Sequence, residues 1–571
     1  MKRFAFLLFA VGGLVAPLAG QSKPSAPHKP FTVVEASIPD MQKAMSEGRV
    51  TSRELVTQYL TRIAIYNGKL NAIMNVNPNA LKEADERDRE RAQGRVRGPL
   101  HGIPIALKDN IHTNDVPTTG GATVFEGFVP PYDATLTKHL RDAGAIIIAK
   151  TRLNEFAGWV TGGPTPAPAN YNALTGFGLN PYDPRKDPRD ATMDGRPAMT
   201  PAGSSYGGGT AASLWAADIG TDTTGSLLGP SNVAMLVGIR PTLARISRYG
   251  VIPVTSDQDM TGPMAKSVTD AAILLGILEG EKPDPNDPAT TVCAPPPGRD
   301  YTRFLNVNGL KGARIGIPRA FFYDAVTPPT AKRPLGGIND AQAKLMTEAI
   351  AVLKQQGAIV IDPADLPSVL TKDPDQNYAL FPICADGDKV RGKDSDCSIV
   401  LKYGFKRDFN KWLTTLGANA PVKTLTELRM WNTTHIPSGA MRYGMGRMNI
   451  SDEVDLERDR ARYEADRAKD LAMSRANGFD AVMKANNLDA LMLPGSAGSD
   501  ISDRAGYPTI QVPFGTVPNS PTPPFPPGFN ARPEPYGVNF KGGACSEPKL
   551  IEVSYAFEQA TKRRVPPPSF P

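Results

Sequence analysis

Gly102-Ile103-Pro104-Ile105-Ala106-Leu107-Lys108-Asp109-Asn110 and, further along, Ala145-Ile146-Ile147-Ile148-Ala149 decide the fold. Each holds a short apolar run, Ile103 to Leu107 and Ala145 to Ala149, with no polar residue to turn toward water. Each therefore reads as a strand buried on both faces. Between them Ala134 to Asp142 reads as a helix. Strand, helix, strand in succession is α/β alternation, which builds a sheet covered by helices. The first run ends on Lys108, an ionisable group at the end of a buried strand.

The same pattern extends in both directions. Thr51-Ser52-Arg53-Glu54 reads as a capping box that opens a helix with Leu55, Tyr59, Leu60 and Ile63 on one face. A densely charged helix runs from Asn79 to Arg89. Downstream, strands are expected at Ala313 to Ile317, Ile359 to Ile361, Leu488 to Leu493 and Thr509 to Val512. Helices are expected at Ile338 to Gln355, 401–417, 423–432, 453–486 and Glu547 to Thr561. Residues 160–200 are rich in Pro, Gly, Asn and Asp and show no period, as expected of a functional loop. Residues 205–240 are rich in Gly, Ala, Ser and Thr, which lets backbone approach backbone. Residues 281–300 read as a surface connection and 515–535 as a Pro-rich loop. No internal repeat is present.

Composition narrows the partners. The net charge of +6 is small for 571 residues, and no block of five or six basic residues appears, so no nucleic acid is expected as partner. Lys2 and Arg3 precede an apolar run from Phe4 to Ala19, with small residues at Ala19 and Gly20. This is the layout of a secretory signal peptide over 1–20, followed by a flexible polar leader over 21–35. A membrane anchor is the competing reading, but the run is short for a span. No Cys near residue 20 marks a lipoprotein, and no other stretch could cross a bilayer. The mature chain is thus expected without a membrane span and exported, periplasmic or secreted. Export makes disulfides available to Cys293, Cys384, Cys397 and Cys545. Cys384 and Cys397 flank a loop-like segment, Ala385 to Asp396, and could pair locally; free or structural cysteines are the alternative for all four. No C-x-x-C, H-E-x-x-H, Walker A loop or dinucleotide fingerprint occurs, so neither metal nor cofactor is expected.

Two serine-centred segments compete for the chemistry. Gly203-Ser204-Ser205-Tyr206-Gly207 matches G-x-S-x-G, which would make Ser205 a nucleophile on a strand-to-helix elbow. The preceding stretch, Asp194 to Pro201, is no apolar strand, and the only later histidine, His435, lies in a polar segment. Gly220-Thr221-Asp222-Thr223-Thr224-Gly225-Ser226 is the second. Small residues before a serine can aim several backbone N–H groups at one point, as an oxyanion hole requires; a plain Gly/Thr turn has the same composition. Ser546-Glu547-Pro548-Lys549 matches S-x-x-K, but no K-T-G triplet accompanies it.

Taken together these blocks resemble the amidase signature family. Gly102 to Asn110 is similar to the strand that ends in the family's catalytic lysine. Ala202 to Gly208 is similar to its Gly-Gly-Ser-Ser-Gly-Gly loop, Gly220 to Ser226 to its nucleophile loop, and Val237-Gly238-Ile239-Arg240-Pro241-Thr242 to the strand after it. Ala505-Gly506-Tyr507-Pro508 and Tyr555 to Thr561 are also similar to family members. The resemblance covers about residues 35 to 567, and the four blocks occur in the family's order.

The resemblance implies one α/β/α domain over 36–567, a large mixed β-sheet flanked by helices. It implies a Ser-Ser-Lys triad for hydrolysis of a carboxamide C–N bond. Ser226 attacks the carbonyl carbon, Ser204 passes the proton, and Lys108 is the base, which requires that burial lower its pKa far below about 10.4. The N–H groups of Thr223, Thr224, Gly225 and Ser226 form the oxyanion hole. The Gly203–Ser204 bond is expected to be cis, at a cost of about 3–4 kcal/mol. The expected partner is a small-molecule or peptide amide substrate, with anilides, esters or carbamates as alternatives on the same site. The rival readings are a catalytically silent binding protein and a tRNA-dependent amidotransferase subunit. The sequence departs from the family pattern at several points. Tyr206 replaces a usual glycine, with an extra glycine after it. Ser204 and Ser226 stand only 22 positions apart, so the helix between them should be short. This spacing leaves Ser205 as the alternative bridging serine. Thr224 replaces a usual glycine, and Leu228 stands where many members have arginine. Neither the acyl group nor the oligomeric state is specified.

Overall fold

The structure, a computed structural model, describes residues 30–162, 169–440 and 442–571. The expected signal peptide and residues 21–29 of the expected leader lie outside the described residues. The end of that leader is packed: Val33 is buried and its N–H donates to Gln58 Oε1.

The apolar runs become strands because their residues have no face to give to water. In chain order the strands are β1 (Ile73–Val76), β2 (Pro104–Lys108), β3 (Ile146–Thr151), β4 (Tyr171–Asn172), β5 (Gly176–Phe177), β6 (Ala217–Asp222), β7 (Val237–Arg240), β8 (Met260–Ala265), β9 (Arg314–Gly316), β10 (Ile359–Ile361), β11 (Ala490–Pro494), β12 (Thr509–Val517) and β13 (Glu534–Lys541). Strands β4 and β5 form a small hairpin inside the irregular 160–200 segment. The other 11 form one sheet in the order β1-β3-β2-β6-β8-β7-β12-β13-β11-β9-β10. The sheet is mixed: β3, β2 and β6 are parallel, β8, β7, β12 and β13 alternate antiparallel, and β11, β9 and β10 return to parallel. Every residue of β2, β3, β6, β7 and β8 is buried, as a sheet covered on both faces requires. Helices Val268–Leu278 and Glu547–Thr561 pack on the sheet and on each other.

The capping box is formed: Thr51 Oγ1 accepts from Glu54 N, and the Glu54 carboxylate accepts from Thr51 N. The expected helix 453–486 begins at Arg460 instead, and its third quarter, Ala472–Phe479, widens into a π-helical turn where Gly478 leaves helical φ/ψ. A satellite core stands beside the sheet, where helices Val400–Thr415 and Leu425–Thr434 bury Phe405, Phe409 and Trp412 against Phe125, Phe156 and Trp159. All four cysteines are paired, Cys293 with Cys545 and Cys384 with Cys397. Among the described residues no helix is long and apolar enough to cross a membrane.

Candidate active site

Strand β2 delivers Lys108 to the sheet's interior, and its neighbour β6 delivers Thr221 and Asp222 alongside. Lys108 is fully buried. Its Nζ lies 2.7 Å from Ser204 Oγ, 2.7 Å from Thr221 Oγ1 and 3.5 Å from Thr221 O. Asn110 Nδ2 donates to the same Thr221 hydroxyl at 3.1 Å. Burial lowers the Lys108 pKa to about 7, against the opposing pull of Asp222, Asp259 and Asp218. Burial also raises the carboxyls of Asp218 and Asp259, the latter to about 7. The contrast with Lys150 on β3 is instructive. That buried lysine faces Asp109 at 3.6 Å, whereas Lys108 has no ion-pair partner among the described residues.

The two loop serines separate by their partners. Ser204 faces Lys108. Ser205 Oγ donates to Thr221 O (3.0 Å) and accepts from Thr221 N (3.2 Å), so its hydroxyl is committed to the end of β6. Ser226 sits against this loop: Ser205 N donates to Ser226 O at 3.0 Å. Gly203 takes φ 49°, and a Cβ there would lie 3.1 Å from Ser226 Cα and 2.6 Å from Pro230 Cδ. Only glycine allows that approach. The Ser226 side chain makes no hydrogen bond among the described residues, and the residue is 8% exposed. The expected cis bond at Gly203–Ser204 is corrected: that bond is trans. Left-handed φ values at both Ala202 (47°) and Gly203 (49°) turn the loop instead. The helix between the two serines is short as expected, Gly208–Ala211. Tyr206, in place of the usual glycine, is buried and donates to Leu179 O.

One residue that sequence reasoning missed organises the Thr223–Ser226 loop. Asp222, the last residue of β6, is fully buried, and its carboxylate accepts from the N–H groups of Gly225 (2.6 Å), Leu227 (2.8 Å) and Leu228 (3.3 Å). The Gly225 amide is therefore engaged, and of the four expected oxyanion donors those of Thr223, Thr224 and Ser226 have no partner among the described residues. Gly225 itself has φ 95°, which favours glycine. Thr223 is fixed from the side: its hydroxyl donates to Asp259 Oδ1 at 2.6 Å, while Asp259 Oδ2 accepts from Val254 N and Thr255 N. An aspartate followed by small residues at a strand end is a sequence signal for such local capping, and could have marked Asp222.

The remaining sequence candidates stay apart. His435 is exposed and stacks on Trp431. Ser546 Oγ donates to Gly543 O, and Lys549 pairs with Glu552, so the S-x-x-K side chains do not meet.

Comparison with known proteins follows the same lines. A family model described as Amidase matches residues 54–550. An Arabidopsis thaliana protein described as a probable amidase is 32% identical over 542 residues, covering 94% of this chain and 92% of that one. The crystal structure of native peptide amidase from Stenotrophomonas maltophilia superposes with a TM-score of 0.77 at 34% identity, covering 94% of this chain and 99% of that one. A glutamyl-tRNA(Gln) amidotransferase chain of Chloroflexus aurantiacus is 36% identical over 372 residues, 64% of this chain and 66% of its own length.

Proposed function

The chain belongs to the amidase family, hydrolases of amide C–N bonds, and from that premise we propose that it works through an acyl-enzyme on Ser226 with Ser204 and Lys108 as proton relay and base. The observation that carries this is the buried, unpaired Lys108, its pKa lowered to about 7, 2.7 Å from Ser204. A neutral Lys108 keeps two N–H groups for Thr221 and turns its lone pair to the Ser204 hydroxyl. Ser204 gives its proton to Nζ and takes one from Ser226, whose oxygen bonds to the carbonyl carbon. The oxyanion is met by the amides of Thr223, Thr224 and Ser226. The proton returns from Nζ through Ser204 to the leaving nitrogen, which an amide needs because its anion is a very poor leaving group. Water then takes the place of the amine and the relay runs again to release the acid.

The substrate class in this reading is a small-molecule or peptide C-terminal amide, supported by the likeness to a peptide amidase over nearly the whole chain. Anilides, esters and carbamates suit the same acyl chemistry. A panel of these four classes tests it: if Ser226→Ala keeps full turnover of whatever wild type cleaves, the assignment is wrong. Lys108→Ala should lose most activity, and more on amides than on esters.

The proposal also places the protein outside the cytosol. The Lys2-Arg3 and Phe4 to Ala19 leader supports it, and so do two disulfides in a chain with four cysteines. The amidotransferase likeness favours a second reading, work on charged tRNA within a complex. A processed N-terminus near residue 20 on the native protein would exclude it, since that substrate is cytosolic; an intact Met1 would revive it.

A further inference from the structure

Beside the nucleophile loop lies a cavity of about 160 Å³. Its inner end is formed by Thr221 and Thr223, and its walls by Tyr132, Ala157, Ile252, Val254 and Trp412. Ile252, Val254, Thr221 and Thr223 are buried, whereas Ser256, Asn286 and Lys411 at the other end are exposed, so the cavity opens to solvent through a polar mouth. Neither Lys108, Ser204 nor Ser226 belongs to its lining.

Two features show a wall held in place. The first is Trp412, whose Nε1 donates to His112 Nε2 at 3.0 Å. Burial keeps His112 neutral, with a pKa of about 3, so it stays an acceptor. The second is backbone strain. Phe156 and Ala157 are consecutive non-glycine residues in the left-handed region, φ 44° and 55°. Such conformations persist only where the surroundings over-determine them. Here Phe156 N donates to Gly120 O, and its ring packs edge-on to Phe125 and Phe409. That turn is what sets the small Ala157 side chain in the cavity wall.

Resting on the acyl-enzyme reading above, we infer that this cavity is the subsite for the group bonded to the scissile carbonyl, and that it takes one aromatic ring or a branched aliphatic side chain. The volume fits that size: about 160 Å³ is close to the roughly 150 Å³ that holds a benzene ring, and an indole would have to extend into the open mouth. The position decides the side. Thr223 supplies an oxyanion amide and also lines the cavity, so the group held there belongs to the same carbonyl. The leaving nitrogen must face Ser204, which lies outside it. For a peptide amide the occupant is the side chain of the C-terminal residue.

The test uses the full chain and two series of substrates. In the first, N-acetyl amides of glycine, leucine, phenylalanine and tryptophan vary the acyl side. In the second, acetamides with increasing N-alkyl and N-aryl groups vary the leaving side. The expected kcat/KM rises about ten- to hundredfold from glycine to phenylalanine and falls again at tryptophan. Ala157→Leu narrows the cavity and should lower the phenylalanine-to-glycine ratio about tenfold. Trp412→Leu widens it and should raise tryptophan relative to phenylalanine. A flat acyl series with amide turnover intact overturns the subsite alone, as does a size preference confined to the leaving-group series. Absence of any amide turnover in wild type removes the acyl-enzyme reading and this inference with it.

Discussion

At the scale of single residues the account rests on Lys108 and Asp222. Lys108 was singled out by the resemblance of Gly102 to Asn110 to the family's lysine strand, and the apolar run before it fits the burial that the structure shows. Its folded pKa of about 7 lies below the unfolded value, so between about pH 7 and 10.5 the unfolded chain binds the extra proton and stability rises with pH. The cost of burying the cation is fully present below pH 7. Lys108→Met should therefore be inactive yet more stable at pH 6 by about 1–3 kcal/mol, with a smaller gain at pH 10, read from denaturant midpoints at both pH values. In wild type, kcat/KM should rise with pH through about 7 and then level off, since only neutral lysine accepts the Ser204 proton. Asp222 was legible only as a residue able to cap its own loop, an aspartate followed by small residues at a strand end. Its function lies in three backbone amides, and one sequence does not reveal which way a loop's amides point. Asp222→Ala releases those of Gly225, Leu227 and Leu228, and kcat should fall about a hundredfold or more with a smaller change in KM. Equal kcat in the variant would contradict the role given to it.

At the scale of elements, continuous apolar runs announced themselves and interrupted ones did not. The expected Ile103 to Leu107 and Ala145 to Ala149 strands are β2 and β3, shifted by one or two residues, and Glu547–Thr561 lies where it was expected. Strand β8 escaped notice because Gly262 and Pro263 lower its strand propensity, and β13 because it follows a Pro-rich stretch. The fold explains why glycine is tolerated in β8. A Cβ on Gly262 would sit 2.0 Å from Ile239 O, the backbone of neighbouring β7. Gly262→Ala should cost about 2–3 kcal/mol or more, measured as a lowered Tm, because the obstacle is main chain that cannot rotate away. The loop that carries Ser226, the proposed nucleophile, lies between β6 and β7, so activity should fall with it. The family pattern implies a cis bond at Gly203–Ser204; the bond here is trans, and two left-handed residues make the turn.

At the scale of the whole molecule, the sheet order was beyond sequence reasoning. Pairings such as β2 with β6 and β7 with β12 join segments far apart in the chain, and pairing of that kind is set by tertiary packing. The disulfides were half legible. Cys384 and Cys397 flank one loop, but Cys293 and Cys545 meet only because the fold brings the Pro-rich connection to the start of the last helix. The two bridges close loops of very different length, 13 against 252 residues. Loop-closure entropy then predicts that losing Cys293–Cys545 costs about 2–3 kcal/mol more than losing Cys384–Cys397, comparing the two double serine variants by denaturant unfolding. Equal costs would show that strain or residual structure governs both.

The central claim, that Ser226 is the nucleophile and Lys108 the base behind it, is tested most directly by covalent labelling. Wild type and Lys108→Ala are treated with a serine-directed sulfonyl fluoride, and the adduct is mapped by peptide mass spectrometry. The account predicts one adduct, on Ser226, forming with loss of activity in wild type and far more slowly in Lys108→Ala. An adduct on Ser204 or Ser205, or an inactivation rate indifferent to Lys108, would contradict it.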